Sequence, residues 1–200
     1  MKRFPAAAVL LLLMNSRANA QSLEDLLPGK TKLEAIEYKG RKGPVAGVMD
    51  DPPLETAKKL CEQAAAQQDT GRYVEATLLY KQALAIAEQV LGPEHLAVAT
   101  TLSALAETYY QEQRFREAEP LLRRSLEIRC KVLSPNDPDI ALSLNNLAEL
   151  HRATSRYVSA EGLYRQAMKI IENSLGSDNP KLALVLNNLG ALRTNVGRYQ

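Results

Sequence analysis

The sequence contains no tryptophan, two phenylalanines, two histidines and two cysteines among its 200 residues. With so few aromatic residues, a hydrophobic core has to be built from Leu, Ala, Ile and Val. The histidines and cysteines form no metal-ligand spacing. A glycine-rich phosphate loop, a nucleophile elbow and an H-E-x-x-H motif are also missing. We therefore expect no metal, no cofactor and no catalytic residue.

The first twenty residues have the pattern of a secretory signal peptide. Lys2 and Arg3 precede an apolar run of about 11 residues, and Ala18-Asn19-Ala20 supplies small residues two apart. The run is shorter than the roughly 20 residues that a membrane-spanning helix needs. We expect cleavage after Ala20 and a periplasmic or secreted protein. An uncleaved membrane anchor is the alternative.

The small positive charge of the chain, 25 basic against 23 acidic residues, comes from this leader. Residues 1–20 contain basic side chains and no acidic one, so the mature chain is close to neutral. No global field for nucleic acid or anionic lipid remains. We therefore expect no nucleic-acid partner, and no membrane partner beyond the export signal.

An internal repeat organises the rest of the chain. Aromatic residues recur every 42 positions, at Tyr73, Phe115, Tyr157 and Tyr199. A second marker has the same period, in LGPEHL (91–96), LSPNDP (133–138) and LGSDNP (175–180). Two independent markers with one period indicate a repeat architecture.

Each repeat contains two helical patterns. In the third repeat the first pattern is Ile140, Ala141, Leu144, Leu147, Ala148 and His151, and the second is Ala160, Leu163, Tyr164, Ala167, Met168 and Ile171. One antiparallel helix pair cannot bury its apolar face alone, but stacked pairs share a continuous core. The sequence therefore predicts an all-α fold, an α-solenoid of antiparallel helix pairs.

The small and large residues of these patterns resemble the tetratricopeptide repeat. The resemblance rests on Leu105-Ala106-x-x-Tyr109 with Ala118 and Leu122, and on Leu147-Ala148 with Ala160, Tyr164 and Ala167. The usual repeat is about 34 residues, and the longer period together with LNNLA is similar to the kinesin light chain subtype. The resemblance covers residues 55–200 and implies a right-handed superhelix whose first helices line a concave groove.

The expected repeats are about 55–96, 97–138, 139–180 and a truncated 181–200. Residues 21–54 have no repeat and several Gly and Pro, which predicts a flexible lead-in. The chain stops soon after the second helix of the fourth repeat begins. We therefore expect a fragment, or a native chain that continues with more repeats or another domain.

The histidines and cysteines have structural interpretations. His151 takes the packing position of Tyr109, and His95 aligns with Asp137 at a predicted helix start. Cys61 and Cys130 lie at non-equivalent points of the repeat, so isolated thiols are favoured over a bridge.

Two asparagine pairs stand inside leucine-rich helices, in LNNLAEL (144–150) and LNNLGAL (186–192). Asparagine is a poor helix-interior residue, and helical phase places both amides outside the packed arc. In the family that the chain resembles, similar groove asparagines bind the backbone of extended peptides. The alternative is that the amides bridge repeats or cap local backbone. A mixed arrangement has Asn145 bridging repeats and Asn146 facing ligand. The candidate groove residues are Asn145, Asn146, Glu149, Arg152, Asn187, Asn188, Asn195, Tyr110 and Gln111.

The leading functional hypothesis is an exported, non-enzymatic scaffold that binds a peptide or protein segment in the groove. The resemblance also allows a second, the sensing or assembly portion of a larger enzyme such as a caspase-like protease, whose catalytic domain would lie beyond residue 200. A third is self-association through the uncapped last helix.

Overall fold

A computed structural model of the protein describes the backbone of residues 52–197 and the side chains of residues 52–194. The predicted signal peptide and nearly all of the predicted lead-in lie outside the described residues. The described part contains seven α-helices and no strand. They are α1 (Pro52–Asp69), α2 (Tyr73–Leu91), α3 (Leu96–Gln111), α4 (Phe115–Val132), α5 (Pro138–Ala153), α6 (Tyr157–Leu175) and α7 (Pro180–Gly197).

The turn inside each helix pair has one residue with left-handed backbone. Gly71 has φ 78°, and the equivalent Gln113 and Ser155 both have φ 61°. Glycine adopts this conformation without strain, whereas in any other residue the Cβ atom makes it sterically unfavourable. In each turn this residue is followed by an arginine and then an aromatic residue, and α2, α4 and α6 all begin at that aromatic residue, which is the 42-residue marker.

The loops between pairs end in a side-chain cap for the next helix. Asp137 Oδ1 accepts a hydrogen bond from the Asp139 N–H at 2.9 Å, and Asn179 Oδ1 accepts from Lys181 at 3.0 Å. His95 occupies the same position and accepts through Nδ1 from the Ala97 N–H at 3.1 Å. The interpretation of His95 as a helix-start residue is confirmed.

Small residues let the helices approach closely. Ala76, Ala118 and Ala160 are fully buried near the start of the second helices, and Ala106 and Ala148 are fully buried in the first helices. Each helix packs against its neighbours in sequence, most extensively within a pair. The predicted first-helix pattern of the third repeat is buried throughout, including His151 at 8% exposure.

The core is continuous across the repeats because α5 contributes to both of its halves. Leu147 and Leu150 pack with Leu105 and Leu122 of the preceding pair, whereas Leu144 packs with residues of α6 and α7. Each repeat therefore buries apolar surface against its neighbour, which is the main source of folding free energy in such a stack. The predicted all-α solenoid is confirmed.

Both cysteines are free thiols in separate surroundings. The Cys61 sulfur lies 3.8 Å from Thr101 Oγ1, and Cys130 is exposed on α4. Burial raises the pKa of both thiols, which lowers their reactivity. Across residues 52–197, no helix has the length and apolar character to cross a membrane. The same part of the chain has no cluster of three or more His, Cys, Asp or Glu side chains suited to a metal ion.

Candidate functional site

The two asparagine pairs form one hydrogen bond between repeats. Asn188 on α7 donates from Nδ2 to Oδ1 of Asn145 on α5 at 3.0 Å, and each residue is only 7% exposed. The expectation that these amides lie outside the packed arc is therefore wrong for Asn145 and Asn188. Their hydrogen bond bridges the third and fourth repeats.

The reason for this difference lies in the stacking of first helices. Helical phase identified the face of α5 that packs against α6, but α5 also packs against α7 of the next repeat. The first asparagine of a pair points toward the following repeat and the second toward the preceding one. Asn187, which is equivalent to Asn145, is exposed, since the described residues include no repeat after α7.

Asn146 is half-buried, yet its side chain has unused hydrogen-bonding capacity among the described residues. It is equivalent to Asn188, but the residue of the preceding repeat that would face it is Ser103, and Ser103 bonds to Ser125 and Arg129 instead. The Asn146 side chain is half-buried and makes no hydrogen bond with any described residue. Its amide is thus held on a packed helix with both donor and acceptor available.

Glu149 and Arg152 are paired with each other. Arg152 Nη2 lies 2.6 Å from Glu149 Oε2, and the two side chains are 22% and 20% exposed. Glu149 also accepts a hydrogen bond from the buried Tyr164 hydroxyl on α6. Burial and the Glu149 carboxylate raise the pKa of Tyr164, so this hydroxyl stays protonated. Both predicted groove residues therefore tie α5 to α6, and only their outer edges are available to a ligand.

Tyr110 and Gln111 are the predicted groove residues of α3. The Tyr110 ring is half-buried and meets Phe115 edge-on at 5.4 Å between centroids. Burial, and then the Glu149 charge, raise the pKa of Tyr110. Gln111 is exposed and donates to Glu107 Oε1 at 2.5 Å. Asn195 is on α7, but its side chain lies outside the described residues.

We define the groove face as the predicted groove residues on the first helices whose described side chains are not fully buried. They are Tyr110, Gln111, Asn146, Glu149, Arg152 and Asn187.

Glu107 belongs to this surface and was missed by sequence reasoning. It occupies the position of Glu149 one repeat earlier, but Tyr110 stands where Arg152 would neutralise it. Burial, and after it repulsion from Glu149, raise the pKa of Glu107, while the Gln111 hydrogen bond lowers it. The 42-residue alignment with Glu149 was the signal that could have identified it.

A second missed group is Arg129, a buried arginine at the end of α4. It is 5% exposed, and its Nη1 contacts Ser143 Oγ at 2.5 Å and Ser103 and Ser125 Oγ at 3.3 Å each. The equivalent positions carry Ala87 and Ile171, both core residues. An arginine at an apolar position of the repeat was the available signal.

Away from the groove face, a charged cluster joins the second and third repeats. Arg156 donates to both Glu119 oxygens at 2.8 Å, and Arg123 reaches Glu119 at 2.6 Å. The Arg156 hydrogen bond holds the pKa of Glu119 below its usual range. Burial and the Arg156 charge lower the pKa of His151, whose Nε2 lies 3.7 Å from Glu119. Through Arg156, these ion pairs connect the second repeat to the third.

The last helix exposes apolar side chains. Leu184 and Leu186 are 43% and 47% exposed, although Leu102 and Leu144, the equivalents of Leu186, are buried. Self-association through this helix stays a prediction.

Comparison with known proteins agrees with this architecture. A family model described as tetratricopeptide repeat matches residues 55–131 and 139–200. The solved structure of BtubC (BKLC) from P. vanneervenii is 25% identical with a TM-score of 0.67, over 74% of this chain and 59% of that chain. A putative kinesin light chain from Podosopora anserina with nearly identical TPR-like repeats is 26% identical with a TM-score of 0.66, over 74% of this chain and 69% of that one.

A more distant structure has the same fold. The first TPR of Spaghetti (RPAP3), solved bound to an HSP90 peptide, is 14% identical with a TM-score of 0.52, over 72% of this chain and 95% of that chain. No curated protein matches the chain at a significant level. The chain spans 59% of the length of BtubC, so it corresponds to part of that protein.

Proposed function

Because the chain belongs to the tetratricopeptide repeat family, we propose that it is an exported, non-enzymatic scaffold that binds an extended peptide or protein segment along the groove face. The observation that carries the proposal is Asn146. Its amide is half-buried on a rigid helix and has no hydrogen-bond partner among the described residues. A preorganised amide of this kind pairs with a peptide backbone without requiring a particular side chain.

The surroundings of Asn146 support the same role. Tyr110 on α3 offers a half-buried ring and Asn187 on α7 an exposed amide, on the first helices of the repeats before and after that of Asn146. Aromatic rings contribute large contact areas at low entropic cost. The groove face therefore combines backbone recognition with an apolar contact.

Peptide binding by a distant relative supports the choice of ligand class. The first TPR of Spaghetti holds an HSP90 peptide on a fold of this kind. That peptide belongs to that protein, and the ligand of this chain has to be identified by experiment.

Export is the second part of the proposal. It rests on residues 1–20, whose basic start, short apolar run and Ala-Asn-Ala end are typical of a cleaved leader. Mass spectrometry of the protein from the exported fraction is expected to give an N-terminus at Gln21. A retained Met1 in that fraction, or protein found only in the cytosol, would contradict export.

The binding proposal is tested with single substitutions. Segments captured by the full chain from the exported fraction would be identified, synthesised as peptides and titrated by fluorescence anisotropy. Loss of one or two amide hydrogen bonds predicts that Asn146→Ala raises the Kd about tenfold. Asn173→Ala, the same change at an exposed asparagine of α6, is the matched control and should leave the Kd unchanged.

Circular dichroism separates binding from folding. Asn146→Ala should leave helicity and the melting temperature close to those of the wild type, because the side chain makes no hydrogen bond with a described residue. Equal Kd values for the Asn146 and Asn173 variants would overturn the proposal, as would a matching loss of stability and affinity in Asn146→Ala.

A further inference from the structure

Arg129 is a buried cation without a carboxylate partner. No Asp or Glu oxygen among the described residues lies within salt-bridge distance of its guanidinium, whereas the less buried Arg123 and Arg156 have such partners. Burying a charge without an opposite charge costs several kcal/mol unless hydrogen bonds compensate it. The position therefore carries a cost that Ala87 and Ile171 avoid at equivalent points of the repeat.

Three serine hydroxyls compensate the charge on one side only. Ser125 donates to the Ala99 carbonyl at 2.7 Å, and Ser143 donates to the Asp139 carbonyl at 3.1 Å. Since the Ser125 hydrogen is used in this way, Ser103 donates to Ser125 across 2.8 Å. All three hydroxyl hydrogens point away from Arg129, and the three oxygens accept from Nη1, whose two hydrogens are shared among them.

The other side of the guanidinium remains open. Nε and Nη2 form no hydrogen bond with a described residue. Neither belongs to the fully buried atoms without a partner, which are atoms of Gln67, Thr77 and His151. Arg129 as a whole is 5% exposed, and Nε and Nη2 together form the two-donor edge that pairs with a carboxylate.

The open edge lies at the seam between two groove-lining helices. Arg129 comes from α4 behind the groove, and its tip rests between Ser103 on α3 and Ser143 on α5. Ser103 has the position in α3 that Asn145 has in α5, and Asn146 lies on the far side of the same seam. A segment running along the groove face past Asn146 would therefore cross this seam.

Nearby acidic residues weaken the positive electrostatic field of Arg129 but do not neutralise its charge. Burial lowers the pKa of Arg129, whereas Asp139 and then Asp137 at the start of α5 raise it. These acids lie beyond 4 Å, and Asp137 is occupied in capping α5. The guanidinium stays charged, since arginine does not lose its proton in proteins.

We propose that the Arg129 guanidinium, held by Ser103 and Ser143, binds the carboxylate of an acidic side chain in the segment that occupies the groove. The inference rests on the proposed function and adds a preference to it, because an aspartate or glutamate at this point of the ligand supplies the missing counter-ion. A bidentate pair in a partly desolvated seam is stronger than a surface ion pair.

The test uses the full chain and defined peptides. Fluorescein-labelled, C-terminally amidated octapeptides of alternating glycine and aspartate would be titrated, with asparagine or lysine replacing aspartate as comparisons. The asparagine octapeptide with a free carboxyl terminus separates a terminal carboxylate from a side-chain one. For the wild type we expect the aspartate peptide to bind about tenfold more tightly than the asparagine peptide.

Two variants with the same change of charge locate the effect. Arg129→Gln should reduce the preference to about twofold or less, because the bidentate pair is lost. Arg116→Gln, at an exposed position of the same helix, should keep it. Arg129→Ile introduces the isoleucine that stands at the equivalent core position, 171. It is a second variant for the case in which Arg129→Gln folds poorly.

Nuclear magnetic resonance provides a readout independent of affinity. The Nε–Hε signal of Arg129 should shift with the aspartate peptide and stay unchanged with the lysine peptide. If the Asn146 amide signals shift while Arg129 does not respond, the groove binds peptide but this inference is wrong. If neither signal responds to any of these peptides, the inference is wrong. The proposed function is tested separately, and it would be overturned if Asn146→Ala left the Kd of the captured segments unchanged. Equal preferences in Arg129→Gln and Arg116→Gln would also overturn the inference.

Discussion

Asn188 donates a hydrogen bond from Nδ2 to Oδ1 of Asn145, and this 3.0 Å contact connects α7 to α5 across a repeat boundary. Both side chains are 7% exposed. Replacing Asn188 by alanine leaves the Asn145 carbonyl oxygen without its partner in a buried seam. We expect this substitution to lower the free energy of unfolding by about 1–3 kcal/mol, as measured by urea denaturation.

Asn187 provides the matched control, since it is the adjacent residue and is exposed. Asn187→Ala should change stability by less than about 0.5 kcal/mol. Equal effects of the two substitutions would show that the hydrogen bond between repeats contributes nothing measurable. The comparison also explains why Asn188 is unsuitable for testing ligand binding, whereas Asn146 is suitable.

The histidine cap of α3 predicts a dependence of stability on pH. His95 accepts from the Ala97 N–H through Nδ1, which requires a neutral ring. Burial lowers the pKa of His95 from its usual 6.5. The unfolded chain therefore binds the proton first, and stability decreases as the pH falls below about 6.5 until the folded pKa is reached. His151, whose pKa is also lowered, contributes with the same sign.

His95→Asp introduces the residue that Asp137 has at the equivalent position. Aspartate caps the helix at neutral and mildly acidic pH and interacts favourably with the helix dipole, so stability at pH 5 should rise by about 1 kcal/mol. Thermal melts from pH 5 to 7 should show a shallower slope than the wild type, with the remainder due to His151. The reverse change, Asp137→His, should steepen the slope. An unchanged slope in both variants would refute the capping role.

Much of the fold was predictable because the 42-residue period places equivalent residues in equivalent surroundings. The apolar patterns of the third repeat, the turn before Tyr157 and the helix start at His95 all follow from local chemistry and that period. The prediction failed for Asn145, because a helical wheel shows how one helix faces its partner and not how it faces the next repeat. Contacts between repeats depend on the superhelix, which a single helix does not reveal.

The candidate site was predictable only in part for a related reason. Glu149 and Arg152 were placed on the correct helix, but their use by Tyr164 depends on the distance between α5 and α6. Arg129 lies on a second helix, outside the groove-lining set, and reaches the seam through the length of its side chain. Reading each repeat position across the stack, and not each helix alone, would have identified it as out of place.

The left-handed turn residue allows a stabilising substitution. Ser155 has φ 61° where Gly71 has φ 78°. Relief of the Cβ strain exceeds the added entropy of a glycine in the unfolded chain, so Ser155→Gly should stabilise the protein by about 0.5–1 kcal/mol. The reciprocal Gly71→Ser should destabilise it by a similar amount. Urea denaturation of both variants is the measurement, and changes of the same sign would contradict the strain argument.

The buried Tyr164 hydroxyl donates to the Glu149 carboxylate, whereas Tyr80, its equivalent in the first repeat, donates to the neutral amide of Gln68 at 3.5 Å. A hydrogen bond to a charged group contributes more than a long one to a neutral group. Tyr164→Phe should therefore lower the free energy of unfolding by about 1.5–3 kcal/mol, and Tyr80→Phe by about 0.5–1 kcal/mol. Both changes remove one hydroxyl from a ring that stays buried, so packing is held constant between them. Comparable losses in the two variants would mean that the Glu149 charge adds nothing to the bond. The double variant Tyr164→Phe/Glu149→Gln measures the coupling of the two residues. If its total loss of unfolding free energy equals the sum of the two single losses, the residues are not coupled.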